Sequence, residues 1–153
     1  MKALELKLPP PVVALLCGIA IALVGARVPQ LAFDFPGRVV VAAALAVIGL
    51  SFDLISIFRF FSARTTVNPM NPGGSSALVT GGLYRFTRNP MYVGLLFLLT
   101  AYTLWKGNAA GFALVAVFVA WITRFQIIPE ERVLAAKFGA AYEAYRGRVR
   151  RWL

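Results

Sequence analysis

The sequence predicts an all-α integral membrane fold of about four transmembrane helices, followed by a C-terminal amphipathic helix lying at the interface. Three observations predict it. Of 153 residues 59% are apolar, and the mean hydropathy is +0.74; this is more apolar surface than a soluble core of that size hides, so the excess faces lipid. Four apolar runs, at 11–28, 39–58, 90–105 and 109–128, each approach the roughly 20 residues a helix needs to cross about 30 Å of hydrocarbon. The sixteen Lys and Arg residues fall thirteen to one side of such a topology, leaving only Arg27, Arg38 and Lys106 on the other. The richer side is predicted to be cytoplasmic and to hold both termini.

Each element has its own signals. The first run follows Lys2 and Lys7 and precedes Val24-Gly25-Ala26, a pattern shared with secretory signals. It is long for a signal core and reads as a span. Residues 29–37 carry Pro29, Asp34, Pro36 and Gly37, a short external turn. The second run contains Asp53 beside Ser51 and Ser56. An acid inside a span has two open readings: a functional group, or a structural partner of Arg59 or a helix-end donor. Residues 62–89 form the predicted cytoplasmic loop, with Asn68-Pro69, Asn71-Pro72, Gly73-Gly74 and Gly81-Gly82. So long a loop in so small a chain points to function, the alternative being a linker. Its aromatic and basic residues from Leu83 to Tyr92 argue against a linker. The third run is the shortest, and Lys106-Gly107-Asn108 joins it to the fourth in a tight antiparallel hairpin. After Pro129 the residues Glu130, Leu134, Phe138, Ala141, Tyr142 and Tyr145 recur at helical spacing. They predict a helix over 130–146 with Tyr142, Tyr145 and then Trp152 at head-group depth. The whole chain, 1–153, reads as one domain.

Two further groups of residues carry potential chemistry. Asn89-Pro90 suits a capped helix start, and with Arg85 and Arg88 it offers a site for a carboxylate or phosphate, or alternatively for lipid phosphates. Glu130-Glu131 either complements a helix dipole or binds a cationic ligand. Arg124, at the edge of the fourth run, is expected to point inward and to pair with one of those glutamates. With no histidine and the single Cys17, neither a histidine base nor a metal site is expected. Neither a phosphate loop nor a G-x-G-x-x-G turn is present. The net charge of +10 suits an anionic membrane surface and leaves no soluble face for nucleic acid.

The run Leu78-Val79-Thr80-Gly81-Gly82-Leu83-Tyr84-Arg85-Phe86-Thr87-Arg88-Asn89-Pro90-Met91-Tyr92-Val93-Gly94 is followed some forty residues later by Glu130-Glu131, Leu134, Phe138-Gly139, Tyr142, Tyr145 and Val149-x-Arg151-Trp152. Together with the lead-in Thr65-Thr66-Val67-Asn68-Pro69, this combination resembles the isoprenylcysteine carboxyl methyltransferase-like and phospholipid methyltransferase superfamily from about Thr65 to the C-terminus. The resemblance implies methyl transfer from S-adenosylmethionine to a lipophilic small molecule or lipid, entered from the bilayer. Carried over by position, Tyr84, Arg88, Asn89, Pro90, Tyr92, Gly94 and Glu130 would bind the cofactor, and Arg124, Glu130 and Glu131 would form the catalytic set.

A carboxylate acceptor needs no base, whereas an amine or thiol would give its proton to Glu130 or Glu131. Eukaryotic carboxyl methyltransferases carry histidine where Asn89 stands, and asparagine cannot titrate near neutrality. The compact Ala/Val/Arg-rich chain suggests a bacterial inner membrane, with the site cytoplasmic. Two other classes compete. One is a small four-helix exporter, although no acid lies in residues 11–28. The other is a non-catalytic or nicotinamide-using protein of the same superfold. Oligomeric state leaves no trace in the sequence.

Overall fold

The computed structural model describes residues 4–63 and 70–153. Lys2, Arg64 and the lead-in Thr65-Thr66-Val67-Asn68-Pro69 lie outside the described residues. Helix α1 spans Pro10–Arg27, α2 Arg38–Ser62, α3 Pro90–Lys106 and α4 Ala110–Ile122. Their ends follow from local chemistry. Pro10 and Pro90 open their helices, where a missing N–H costs nothing. Gly37 (φ +84°) precedes α2 and Gly107 (φ +64°) ends α3, both in the left-handed region that a side chain disfavours. Asn108 completes the predicted hairpin: its Oδ1 accepts from Ala110 N–H at 3.0 Å, and its Nδ2 donates to the Val28 carbonyl at 2.8 Å.

The most extensive helix pair is α2 with α3. A side chain on Gly49 would meet the Gly94 carbonyl at 2.8 Å, and one on Gly94 would strike Asp53 Oδ1. Two glycines therefore let the backbones approach closely, as small residues do between membrane helices. The main core joins Val13 and Ile21 of α1 to Tyr92 and Leu99 of α3 and to Val115, Phe118 and Ile122 of α4. Leu15, Leu16, Ile19 and Leu23 of α1 and Val40, Val47, Leu50 and Leu54 of α2 point outward instead. That continuous apolar exterior is what a bilayer covers.

Among the described residues, three helical segments are long and apolar enough to cross a membrane: Pro10–Arg27, Arg38–Ser62 and Ala110–Phe138. At 17 residues α3 covers about 25 Å at 1.5 Å per residue and packs against all three. The expected separate helix at 130–146 is corrected. The rod starting at Ala110 continues through a π turn, Thr123–Ile127, into α5, Ile128–Phe138. Gly139, at φ +51°, then separates α5 from α6, Ala140–Arg148. Pro129 has no N–H for the Phe125 carbonyl, and the wide turn absorbs it without a break. That carbonyl instead accepts the Leu6 N–H at 3.0 Å, tying the N-terminal segment to the rod.

Tyr142 and Tyr145 turn into the protein. They are 2% and 4% exposed, packed with Tyr84, because the stripe of α6 faces the loop segment and not the outside.

Candidate functional site

A cavity of about 490 Å³ opens where the start of α1, the second half of α2, residues 72–92, α5 and α6 converge. Asp53, Ile57 and Phe60 present one face of α2 to it, spaced one helical turn apart. Met91, Tyr92 and Leu95 do the same from α3, and Pro9–Pro11 close the α1 side. The turn at Pro72–Gly74 is fixed against α5, with Lys137 Nζ donating to the Gly73 carbonyl at 2.6 Å.

Two charged clusters stand on the walls. Glu130 Oε1 accepts from Tyr92 Oη and from Gln126 Nε2, each at 2.6 Å. Two donors on one oxygen fix the carboxylate's direction. Glu131 is buried and shared by two guanidiniums: Arg88 Nη2 reaches Oε1 at 2.7 Å, while Arg151 Nη2 reaches Oε2 at 2.7 Å and its Nε reaches Oε1 at 3.0 Å. Two cations on one anion leave that cluster with one net positive charge.

The 82–94 segment is fastened to the C-terminal tail by its backbone and side chains. Arg88 N–H donates to the Arg150 carbonyl at 2.8 Å, and Arg88 Nη1 to the carbonyls of Val149 and Arg146 at 2.5 and 3.2 Å. Thr87 Oγ1 and Asn89 Nδ2 both donate to the Arg151 carbonyl. Asn89 is thus spent on the tail, and the expected side-chain cap of α3 does not form. Trp152 Nε1 donates to Thr123 Oγ1 at 3.1 Å, an inward contact.

The tyrosines beside these clusters stay protonated. Burial pushes the Tyr142 hydroxyl up to about 12, with the Glu131 charge adding to it. Burial also raises Tyr84 and Tyr145, and Tyr145 Oη donates to the Tyr84 carbonyl at 2.8 Å. Arg151 is raised first by its hydrogen bonds to Glu131.

Of the residues singled out from sequence, Tyr84, Arg88, Asn89, Tyr92, Glu130 and Glu131 line the cavity. Pro90 and Gly94 do not; Pro90 is buried at the helix start and Gly94 serves the α2–α3 crossing. Arg124 is a correction. Its Nη1 donates to Glu5 Oε1 at 2.9 Å, and Arg132 takes the other Glu5 oxygen, so Arg124 pairs with neither Glu130 nor Glu131 and lies off the cavity. The π turn swings it toward the N-terminal segment. Arg85 is exposed. Asp53 does not pair with Arg59, whose guanidinium packs over Gly82; its Oδ1 is buried with no hydrogen-bond partner among the described residues. Gln126 and Arg151 were not singled out, though Arg151 stands in the C-terminal motif and Gln126 is four residues from Glu130, one turn on the same helix face.

The family model described as phospholipid methyltransferase matches residues 37–141. The match runs from the start of α2 into α6 and takes in both glutamates and the 82–94 segment. This chain belongs to the phospholipid methyltransferase family. An uncharacterized protein of Haemophilus influenzae is 48% identical over 63 residues, which is 41% of this chain and 100% of that relative. No solved structure matches. Family membership and three apolar helices together make the chain an integral membrane methyltransferase-family protein.

Proposed function

We propose that this phospholipid methyltransferase family member transfers the methyl group of S-adenosylmethionine to a lipophilic acceptor at the cytoplasmic surface of a bacterial inner membrane, with α3 as a fourth span. The observation that carries the proposal is one cavity holding an oriented carboxylate, Glu130, beside the Arg88–Glu131–Arg151 cluster of net positive charge. That donor set fits the cofactor, which pairs a carboxylate with a sulfonium and an ammonium group. A volume of about 490 Å³ lies within the usual range for small-molecule sites, roughly 300–1,000 Å³.

When bound, the cofactor supplies an electrophilic methyl group on a positively charged sulfur. Arg88, which lines the cavity, would face its carboxylate, and Glu130 its cationic end. Tyr92 and Gln126 hold Glu130 in one direction, so no reorganisation is needed as charge redistributes. Tyr84, Tyr142 and Tyr145 exclude water from the α6 side, and Pro9–Pro11 from the α1 side. For a carboxylate acceptor alignment suffices. For a thiol or amine, Glu130, held by Tyr92 and Gln126 and by no arginine, would take the proton.

The test is incubation of the purified protein in nanodiscs with methyl-labelled S-adenosylmethionine and extracted bacterial lipids. Label is expected in the organic phase. A folded protein that leaves all label in the aqueous phase would overturn the proposal.

A further inference from the structure

The segment ahead of α1 closes one side of the cavity, yet little holds it there. Pro9, Pro10 and Pro11 line the α1 wall. Proline has no N–H and a fixed φ, so these residues make a stiff arm that offers its neighbours no backbone donor. Leu4 and Leu8 are exposed and contribute no buried apolar surface to keep the segment in place. Among the described residues two anchors are left, side by side. Glu5 gives one carboxylate oxygen to Arg124 at 2.9 Å and the other to Arg132, and the Leu6 N–H donates to the Phe125 carbonyl at 3.0 Å.

These anchors have the character of a latch and not of a core. The Arg124 and Arg132 side chains are 40% and 52% exposed, so water and salt compete for both ion pairs. Leu6 is the non-glycine residue of the described chain at positive φ, +56°, a conformation that leucine abandons unless its surroundings impose it. Its bond to the Phe125 carbonyl imposes it here. Both anchors grip the rod next to Glu130: Arg124 and Phe125 lie in the π turn before that carboxylate, and Arg132 follows it by two residues. The segment lies ahead of residues 37–141, the part that the family model matches.

We propose that residues 4–9 form a gate over the cavity, latched shut by Glu5 on Arg124 and Arg132, and that its opening sets how fast polar molecules enter and leave; that the polar molecule is S-adenosylmethionine rests on the methyltransferase reading. Breaking the latch frees Leu6 from its strained conformation, and the stiff proline arm carries the displacement to the cavity wall instead of absorbing it. The closed gate keeps water from the site, and the open gate exchanges cofactor and product.

The test reads access to the cavity without the cofactor. Cys17, the single cysteine of the chain, is replaced by alanine, and Ser75→Cys, a nearly isosteric change on the cavity wall, supplies the thiol to be modified. Gly147→Cys, at an exposed position with open space around it, is the control. Each is treated in nanodiscs with a charged, water-soluble methanethiosulfonate. Adding Glu5→Gln is expected to speed modification at position 75 at least fivefold and to leave position 147 within twofold, with the unfolding temperature within two degrees. Arg132→Gln, which breaks the latch from the other side, is expected to speed position 75 as well. Unchanged rates at position 75 in both variants would overturn the gate. So would an equal rise at position 147 or a fall of several degrees in unfolding temperature, since the segment would then support the fold as a whole. In stopped-flow measurements Glu5→Gln is expected to raise both the association and the dissociation rate of S-adenosylmethionine at least fivefold, with the affinity within threefold. A folded protein that binds no S-adenosylmethionine would strike the methyltransferase reading alone, because the modification rates test the gate by themselves.

Discussion

Arg38 and Arg88 stand at opposite ends of α3 and make nearly the same bonds. Arg38 donates through Nη1 to the carbonyls of Leu104 and Trp105 at 2.6 and 2.8 Å and through Nε to Asp34 at 2.8 Å. Arg88 donates to the carbonyls of Arg146 and Val149 and to Glu131. Each ties a helix end or tail to a neighbouring segment and meets one carboxylate. The difference lies in what surrounds the carboxylate. Asp34 is 81% exposed at its side chain, so water shares its charge; Glu131 is 11% exposed and needs a second arginine. The Arg38 end closes a hairpin and ends there. The Arg88 end closes a cavity wall and leaves a net charge and an oriented Glu130 beside the space.

The largest expected effect breaks that comparison at Arg88. Arg88→Met strands Glu131 with one partner and frees two carbonyls, and buried pairs broken on one side typically lose about 3–5 kcal/mol. Unfolding in mixed micelles should show that loss together with abolished S-adenosylmethionine binding. Tyr92→Phe removes a hydrogen bond to a carboxylate, roughly 1.5–3 kcal/mol, and should weaken cofactor binding by about tenfold or more in calorimetry, with the fold intact. Arg38→Met should lower stability by only about 1–2 kcal/mol and leave cofactor binding unchanged. Equal losses at Arg38 and Arg88 would show the two ends to be alike.

The smallest effect concerns the N-terminal segment. The Glu5 carboxyl is held below its usual range, first by its hydrogen bond from Arg124, with Arg132 adding to it. A depressed folded value contributes stability above the unfolded value, about 4.5, and loses it as pH falls through the folded one. Hydrogen exchange at the Leu6 amide, which bonds the Phe125 carbonyl, should therefore lose protection only on acidification below that range. Loss of protection on raising the pH would contradict the clamp.

Local punctuation made much of the fold legible. Pro10, Gly37, Pro90 and Gly107 mark helix ends within a residue or two, because proline and glycine act on their own backbone. What escaped depends on distant partners. Pro129 reads as a helix start, and the Leu6 N–H that satisfies the Phe125 carbonyl comes from the far end of the chain. Arg124 was expected near the glutamates a few residues on, yet its partner Glu5 is 119 positions away. The tyrosine stripe of α6 has the periodicity of an interfacial helix; only the packing of Tyr84 against Tyr142 and Tyr145 tells that its apolar face turns inward. In the site, the Arg88 and Glu131 motifs were each visible, whereas their mutual ion pair was not, since nothing in sequence spacing joins residues 43 apart.

The central claim is that the cavity beside Glu130 receives S-adenosylmethionine. Calorimetric titration of the cofactor into purified wild type and Glu130→Gln tests it most directly. The account predicts saturable binding to the wild type and at least a tenfold weaker affinity in the variant, both proteins remaining folded. A folded wild type that takes up no heat, or a variant that binds equally well, would contradict it.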